Sequence, residues 1–367
     1  MQPQSINTPG PFAAWAARSR DAISGEAAAA AAGGAMVAGP VQRIAQPGGL
    51  TMAINAVRKP KARPKPKPKP KPVPGWKLVW HDEFEGTEVD RSKWDFDIGN
   101  GFYDYKNHAW VPGWGNEELQ YYTDSPRNVS VKDSLLTIRA VKESLHGCGY
   151  TSARLKTRQR DGTPLFTQQY GRVEIRARVP WGKGLWPALW MLPQDDKYGG
   201  WAASGEIDLM EIVGEKPHEV LNSIHFGSAF PKRSLITTVY ALPGGSTVSD
   251  WHVYTAEWEP GEIRFYVDSV QTCTYGHWWS CSKTAGGAGV EPSNAADLNP
   301  WPAPFDQPFY LLMNVAVGGN FPGAPNAETR FPAELVVDYV RVYDKRSGYG
   351  PVKPIAKGVF PWQKKAR

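Results

Sequence analysis

Apolar and polar residues alternate along most of this chain between residues 76 and 344. In GRVEIRARVP (171–180), Val173, Ile175 and Ala177 share one face, while arginine and glutamate occupy the other. A period of two is typical of β-strands, and turn-forming residues separate these short segments. The pattern therefore predicts an all-β domain over residues 76–345, built as a two-sheet sandwich of jelly-roll type.

Three segments flank the predicted domain. Residues 1–57 are rich in alanine, glycine and glutamine and show no sustained period, which predicts a disordered leader. In residues 58–75 lysine alternates with proline, so a helix or a strand ladder is excluded because every second residue lacks an amide hydrogen. We expect a stiff polyproline II linker there. It is either a solvated spacer or a rod that contacts an anionic envelope surface. Residues 346–367 form a basic tail.

The positive charge of the chain lies in two of these flanks. The formal net charge is +6, yet residues 58–72 carry eight positive charges and residues 352–367 carry five, with no acid in either segment. Without these charges the rest of the chain has a formal charge of −7. An acidic body argues against a nucleic acid as the partner of the folded domain.

Two further features of the sequence concern export and oxidation. It has no apolar run of about 20 residues, so no transmembrane helix is predicted. AAAAAAGGAMVAG (27–39) is either an atypical export signal or part of the disordered leader. We expect a secreted or envelope-associated monomer. Three cysteines are too few for a disulfide scaffold, and Cys273 and Cys281 either pair or remain free.

A cluster of acids lies within GEIDLMEIVG (205–214), among apolar residues. On a regular strand Glu206 and Asp208 share a face, and Glu211 points the other way. One extra residue near Leu209 or Met210, a β-bulge, would return Glu211 to the face of the other two acids. The alternative is an acidic strand that faces solvent.

A bulged strand would allow catalysis by two carboxyl groups. Inward-leaning side chains could bring the carboxyls of Glu206 and Glu211 to roughly 5 to 6 Å, the separation used by retaining glycosidases. Three crowded acids cannot all ionise without a free-energy cost, so their pKa values should be pushed apart. One glutamate would then be a nucleophile and the other would hold a proton for the leaving group.

Aromatic and hydrogen-bonding residues surround the acids in the sequence. Flat rings pack on the C–H faces of sugars, and amides or carboxylates bind hydroxyl groups, so this mixture indicates a glycan cleft. His225 follows about one strand later and either contacts an acid or is structural. The other residues of this kind are Trp114, Asn116, Glu117, Trp186, Trp190 and Trp201.

GEIDLMEIVG resembles the signature of glycoside hydrolase family 16, in the bulged form E-x-D-x-x-E of its laminarinase-type endo-β-1,3-glucanases. Further blocks between residues 76 and 344 are similar to family blocks in the same order. They are WHDEFEG (80–86), WGNEELQYYT (114–123), YGRVEIRARVP (170–180), GLWPALWML (184–192), the segment around His225, FDQPFYLLMNVAVGGNFPG (305–323) and VVDYVRVYD (336–344).

The resemblance implies a concanavalin A-like jelly roll whose concave sheet carries a substrate cleft, and retaining endo-hydrolysis of β-1,3-glucan without a cofactor. Glu206 matches the nucleophile, Asp208 the assisting acid and Glu211 the general acid/base. Further positions lie in blocks that line sugar subsites: Trp114, Asn116, Glu117, Arg176, Trp186, Trp190, His225 and Asn320.

The resemblance also implies one structural calcium ion on the convex side, where Glu83 and Asp338 are the matching carboxylates. Hard oxygen ligands suit calcium, and the alternative is that Glu83 and Asp338 are two ordinary surface acids. Residues 273–304 depart from the family pattern and are predicted to form a loop at the cleft rim. Mixed-linkage glucanase, galactan hydrolase and transglycosylase activities remain alternatives on the same scaffold, as does a glucan-binding module without turnover.

Overall fold

The computed structural model describes residue 67, residues 70–104 and residues 108–364. The predicted leader and most of the Lys-Pro linker lie outside the described residues. Regular structure in the described part is almost entirely β, with one four-residue helix, α1 (Pro361–Lys364). None of its helices has the length and apolarity needed to span a membrane.

Two eight-stranded sheets, antiparallel except for one short strand, make up most of the structure. The first, called the back sheet, has the order β17 (Val270–Tyr275), β16 (Glu262–Val267), β15 (His252–Glu259), β10 (Gly171–Arg178), β22 (Ala333–Lys345), β7 (Leu135–Ala140) and β6 (Val129–Lys132), with β1 (Trp76–Asp82) paired to β22. The second, called the front sheet, has the order β14 (Arg233–Ala241), β13 (Glu219–Ser228), β12 (Glu206–Glu211), β11 (Leu185–Pro193), β21 (Phe309–Val317), β9 (Arg154–Lys156) and β2 (Asp95–Asp97), with β18 (Ser280–Cys281) parallel to β13.

Three small strand pairs and three 3-10 turns complete the regular structure of the described residues. The pairs are β3 (Gly101–Asp104) with β4 (Ala109–Pro112), β5 (Gln120–Tyr122) with β8 (Tyr150–Ser152), and β19 (Thr284–Ala285) with β20 (Ala288–Gly289). The 3-10 turns are Gly113–Gly115, Pro243–Gly245 and Ala295–Asp297.

The core lies between the two sheets and is built from the alternating apolar residues. Val173, Ile175 and Ala177 of β10 are buried from the back sheet, as predicted. From the front sheet, every residue of β21 is buried. The intervening residues of each strand point outward, so each sheet presents one face to the core and one to the outside. The prediction of an all-β sandwich is confirmed.

The first and last strands of the sandwich pair with each other, from Trp76 opposite Lys345 to Asp82 opposite Val340. Beyond β22, the described part of the basic tail returns to the domain. The Lys353 amide donates to the Pro260 carbonyl at 3.0 Å, and the Trp301 indole donates to the Lys353 carbonyl at 2.7 Å. The tail is therefore packed onto the sandwich at this point.

Residues 273–304, predicted as a loop, contain strands and a buried aromatic group. Trp278 is fully buried and stacks on Trp301, with ring centroids 4.6 Å apart. Cys273 lies on β17 of the back sheet and Cys281 on β18 of the front sheet, and both are free thiols. The two cysteines therefore do not pair with each other.

Candidate active site

The acidic segment forms β12 and contains a β-bulge. On β11 the consecutive residues Leu189 and Trp190 lie opposite Met210 and Asp208, so Leu209 is the extra residue. The register with β13 shifts over the same stretch. The side chains of Leu209 and Met210 are both buried in the core, which fixes the bulge in place. The alternation of β12 is thereby reset after Asp208.

Because of the bulge, all three acids lie on the outer face of the front sheet. The Glu206 side chain is 13% exposed, Asp208 2% and Glu211 9%. Ile207 and Ile212 are fully buried on the opposite face. Three carboxyl groups are therefore crowded into one largely dehydrated patch.

Two indole groups hold the two glutamates. The Trp201 Nε1–H donates to Glu206 Oε2 at 2.6 Å, and the Trp186 Nε1–H donates to Glu211 Oε1 at 3.0 Å. Asp208 Oδ2 is buried without a hydrogen-bond partner among the described residues. The outer acids are thus oriented by N–H donors, while Asp208 is left to interact with its acidic neighbours.

The environment raises the pKa of all three acids. Burial, followed by the negative charge of Glu211, raises the pKa of Glu206 to about 7, although the hydrogen bond from Trp201 works against this shift. Burial, the charges of Glu211 and Glu206, and a hydrogen bond with Glu206 raise the pKa of Asp208 well above its usual range. Burial also raises the pKa of Glu211. The patch therefore retains protons near neutral pH, and two acidic neighbours favour the protonated form of Asp208.

His225 lies on β13 directly opposite Glu206. Its Nε2 is 3.6 Å from Glu206 Oε1 and 3.5 Å from Asp208 Oδ2. Burial, and then the positive charge of Arg233, lower the pKa of His225 to about 3, so its ring is neutral. The predicted contact with the acids is present. Donor atoms of Glu206, Asp208 and His225 lie within 4.8 Å of one another, so these three could also hold a metal ion.

A basic residue that the sequence did not single out lies beside the acids. Arg233 begins β14, and its guanidinium is 5.3 Å from the centre of the Trp201 ring. Its positive charge favours the ionised forms of Glu206 and Glu211. Arg233 therefore opposes the effect of burial on the two glutamates.

Next to the acids, the front sheet carries aromatic rings and amides. Trp190 donates to Asn314 Oδ1 at 2.8 Å. The Arg154 guanidinium lies between two indoles, 4.7 Å from the Trp190 ring and 4.8 Å from the Trp114 ring. An ion pair with Asp97 at 2.9 Å fixes Arg154. These contacts hold the rings rigidly beside the acids.

The predicted polar residues near Trp114 are only partly where we expected them. Glu118 accepts hydrogen bonds from Asn116 Nδ2 at 3.1 Å and Gln120 Nε2 at 2.6 Å, whereas Glu117 is exposed. The amide of Asn320 donates to the Asn116 carbonyl at 2.8 Å, which places the predicted Asn320 beside this cluster. Glu118 is thus the glutamate of this segment that belongs to the hydrogen-bond network, and nothing in the local sequence distinguishes it from Glu117.

Arg176 does not belong to this site. It lies on β10 of the back sheet, faces away from the core, donates to Asp338 Oδ2 at 2.6 Å and stacks on Trp251. The outer faces of the two sheets are on opposite sides of the sandwich, so Arg176 cannot reach a substrate bound at Glu206. The prediction of Arg176 as a substrate-binding residue was therefore wrong. It rested on the similarity of the block 170–180 to the family, and that similarity does not show which side chains of the block face the cleft.

The two predicted calcium ligands are already bound to positive groups of the chain. Glu83 accepts two hydrogen bonds from Arg341, at 2.8 and 2.9 Å. Asp338 is paired with Arg176 and with the Lys67 ammonium. Carboxylates neutralised in this way offer little net charge to a divalent cation, so the residues present fit a calcium ion poorly.

Comparison with known proteins agrees with this geometry. The family model "Glycosyl hydrolases family 16" matches residues 113–283. The chain is 43% identical over 286 residues to glucan endo-1,3-beta-glucosidase A1 of Niallia circulans, which covers 75% of this chain but only 39% of that longer protein. It is also 43% identical over 280 residues to a beta-glucanase of Rhodothermus marinus, which covers 74% of this chain and 86% of that one.

The fold has solved relatives as well. The laminarinase catalytic domain from Thermotoga maritima MSB8 matches with a TM-score of 0.59 and 37% identity, over 73% of this chain and 98% of that domain. This likeness confirms the predicted jelly roll. Sequence and structure together show that the chain is a glycoside hydrolase and belongs to glycosyl hydrolase family 16.

Proposed function

We propose that this chain cleaves internal bonds of β-1,3-glucan with retention of configuration, using Glu206 as nucleophile and Glu211 as general acid/base. The observation that carries the proposal is the bulged strand β12, which puts both glutamates on one face with a different indole donor on each. The names of the similar glucan endo-1,3-beta-glucosidase and laminarinase support the substrate.

In the first step a Glu206 oxygen attacks the anomeric carbon, and the glycosidic bond breaks as Glu211 gives its proton to the leaving oxygen. In the second step Glu211 takes a proton from water, which attacks the glycosyl ester and releases Glu206. Asp208 keeps its proton and donates a hydrogen bond to Glu206, so the nucleophile can carry its charge in a buried site. Paired carboxyls perform this chemistry without a metal.

The remaining predictions complete the proposal. Trp114, Trp186, Trp190, Asn116 and Asn320 would line the sugar subsites, together with Arg154 and Glu118. Residues 76–345 would be the catalytic unit, an interpretation supported by the pairing of β1 with β22 at its two ends.

We further propose a monomer that meets its polymeric substrate outside the cell. Fractionation of the producing cells would test this location.

The calcium and linker predictions are revised together. We propose that Lys67 of the Lys-Pro segment takes the place of a cation on the back sheet, since its Nζ bonds to both the carbonyl and the carboxylate of Asp338, and its amide bonds to Glu85 at 3.1 Å. The linker would then be held at Lys67 by acids of its own domain, while its other lysines remain available to an anionic surface.

The test uses the full chain with laminarin, mixed-linkage glucan and a sulfated galactan, following reducing ends and product anomers. We expect β-configured oligosaccharides from laminarin. Sodium azide then assigns the roles. With Glu206→Ala it should enter on the vacated face and give an α-glycosyl azide. With Glu211→Ala, on an aryl laminaribioside whose phenolate leaves without a proton, azide should open the glycosyl-enzyme and give the β-azide. Binding without release on all three polymers would contradict the proposed function.

A further inference from the structure

Arg233 lies on the same outer face of the front sheet as the acids. On β13, His225 is directly opposite Glu206, and on β14 Leu235 is directly opposite His225. Residues that are directly opposite on paired strands share a face. Arg233 is two positions from Leu235 along β14, so it shares that face as well. The guanidinium therefore lies on the side of the sheet that carries the acids.

Contacts lead from the proposed nucleophile to Arg233 through one indole ring. The Trp201 Nε1–H donates to Glu206 Oε2 at 2.6 Å, and the Arg233 guanidinium is 5.3 Å from the centre of the same ring. The His225 ring of β13 is 5.4 Å from the Trp201 ring. The site thus continues from the acids over β13 to β14 without a gap.

Backbone hydrogen bonds fix the two segments that carry these side chains. The Phe230 amide, just before β14, donates to the Trp201 carbonyl at 2.8 Å. The Gly289 amide of β20 donates to the Phe230 carbonyl at 3.0 Å. Residues 273–304, which depart from the family pattern, therefore support the position of both Trp201 and Arg233.

The Arg233 guanidinium has hydrogen-bond donors that the described protein does not use. Within the described residues it forms no hydrogen bond and no ion pair. Burial lowers the pKa of Arg233, because the charges of Glu206 and Glu211 offset only part of the lost hydration. A partly buried cation without a hydrogen-bond partner costs free energy. Its donors are therefore available to a ligand that lies over the acids.

Arg233 and the residues proposed above for the sugar subsites lie on opposite sides of the acids. Trp190 is on β11, and Arg154 and Trp114 follow in the direction of β9, whereas Arg233 lies in the direction of β14. Cleavage of an internal bond requires that the glucan bind on both sides of that bond. A chain that runs across the strands from Trp190 over the acids therefore continues to Arg233.

We propose that Arg233 binds sugar hydroxyl groups of the glucan in a subsite over β13 and β14, across the cleaved bond from Trp190 and Trp114. The inference rests on the proposed function. The glucan is the occupant because it must lie over the acids of β12 to be cleaved, which brings its next sugar rings to Trp201 and Arg233. A planar guanidinium with several fixed donors suits the neighbouring hydroxyl groups of a sugar ring.

The proposal is tested with Arg233→Met, which keeps an apolar side chain beside Trp201 and removes the donors. A laminari-oligosaccharide with a heavy oxygen label at its reducing end shows by mass spectrometry which bond is cut. We expect kcat/KM to fall about tenfold. The cleaved bond should move toward the end of the oligosaccharide that lies over β14, because the chain then fills the intact subsites. Trp114→Ala should move the cleaved bond toward the opposite end.

Two further variants serve as controls. Arg233→Lys keeps the charge but loses the planar set of donors, so it should move the cleaved bond in the same direction and less far. Arg178→Met is the matched control, because the Arg178 guanidinium also lies over an indole, at 5.5 Å from the Trp251 ring, on the outer face of the back sheet. It should change neither kcat/KM nor the cleaved bond. Melting temperatures of the variants separate a lost contact from a lost fold.

An unchanged cleavage pattern in Arg233→Met would overturn the subsite. A loss of rate with the same pattern and a shifted acid limb would show instead that Arg233 acts only through its charge on the glutamates. A shift in the same direction as that of Trp114→Ala would also overturn the proposal. Failure of the wild type to cleave laminarin would contradict the proposed function, and the subsite would fall with it.

Discussion

The spacing of the proposed catalytic acids occurs twice in this chain, with opposite consequences. Glu206, Asp208 and Glu211 lie on the front sheet, and EWEPGE (257–262) repeats the same intervals on the back sheet. In the second cluster Arg264 donates to all three glutamates, to Glu257 at 3.0 Å and to Glu259 at 2.5 Å among them. In the first cluster no lysine or arginine of the described residues forms an ion pair with an acid, and the His225 ring beside Glu206 and Asp208 is neutral.

The two clusters therefore differ in the pKa of their acids. Burial raises the pKa of Glu206 to about 7. Burial acts in the same direction on Glu259, but hydrogen bonds from Lys345 and Arg264 outweigh it and lower the pKa of that carboxyl. Arg264 forms ion pairs with the acids of the back-sheet cluster and makes it a structural network. The acids of β12 form no ion pair with a guanidinium of the described residues, so they can exchange protons. Spacing alone does not distinguish a catalytic site from a salt-bridge network.

The largest expected effect separates the two clusters by activity. Glu206→Gln removes the proposed nucleophile and should lower kcat on laminarin by at least about 1,000-fold, with little change in glucan binding. Glu257→Gln, at the equivalent place of the back-sheet cluster, should change kcat less than twofold. Comparable losses in both variants would show that the front cluster has no special role.

Asp208 offers the next contrast, because we infer that it acts as a protonated hydrogen-bond donor. Asparagine can still donate to Glu206, whereas alanine cannot. We expect kcat to fall about tenfold for Asp208→Asn and about 100-fold for Asp208→Ala. If asparagine were as damaging as alanine, Asp208 would be required in its ionised form instead.

Trp201→Phe tests how the nucleophile is kept ionised. The indole N–H stabilises charged Glu206 and lowers its pKa, so its removal should raise that pKa. The acid limb of the kcat/KM profile on laminarin should then move to higher pH, with a loss of about tenfold at neutral pH. Trp251→Phe is the matched control, and an unchanged acid limb in Trp201→Phe would exclude the indole from this role.

The same substitution in the two clusters should change stability in opposite directions. The pKa of Glu206 is raised on folding, from 4.5 to about 7, so the folded state binds more protons and stability falls as pH rises through this range. Glu206→Gln should therefore be more stable than the wild type at pH 8, by at most about 3 kcal/mol, and equal to it below pH about 4.

For Glu259 the dependence of stability on pH is reversed. Its pKa is lowered on folding, so its stabilising effect is present at neutral pH and is lost only as pH falls through the lowered value. Glu259→Gln should lower the free energy of unfolding at pH 7 by about 1–2 kcal/mol. Urea denaturation at pH 4 and pH 8 measures both effects, and the same sign for both variants at pH 8 would contradict the comparison.

The smallest effect concerns calcium at the back sheet. Because Lys67 and Arg176 already neutralise Asp338, we expect EDTA to shift the melting temperature by less than about 2 °C. Lys67→Gln should lower the free energy of unfolding by about 1 kcal/mol, and added calcium should stabilise this variant more than the wild type. A strong EDTA effect on the wild type would instead indicate a resident metal ion.

The sequence predicted the elements of the site that depend on local spacing. The bulge follows from the apolar residues around Asp208, because a strand that buries both Ile207 and Ile212 must change its alternation between them. The basic residues near the acids could not be predicted from local spacing. Arg233 comes from a later strand, and Arg154 is more than 50 residues away in the chain, so only the order of strands in the sheet brings them together.

The measurement that tests the central claim most directly is the identity of the residue that becomes glycosylated. A 2-deoxy-2-fluoro laminaribiosyl fluoride slows release of the glycosyl-enzyme, so the intermediate can be followed by intact mass and located by peptide mapping. We predict one added laminaribiosyl mass on the peptide that contains residues 205–214, attached to Glu206 and absent in Glu206→Gln. A label on Glu211, or on a peptide from the back-sheet cluster, would contradict the account.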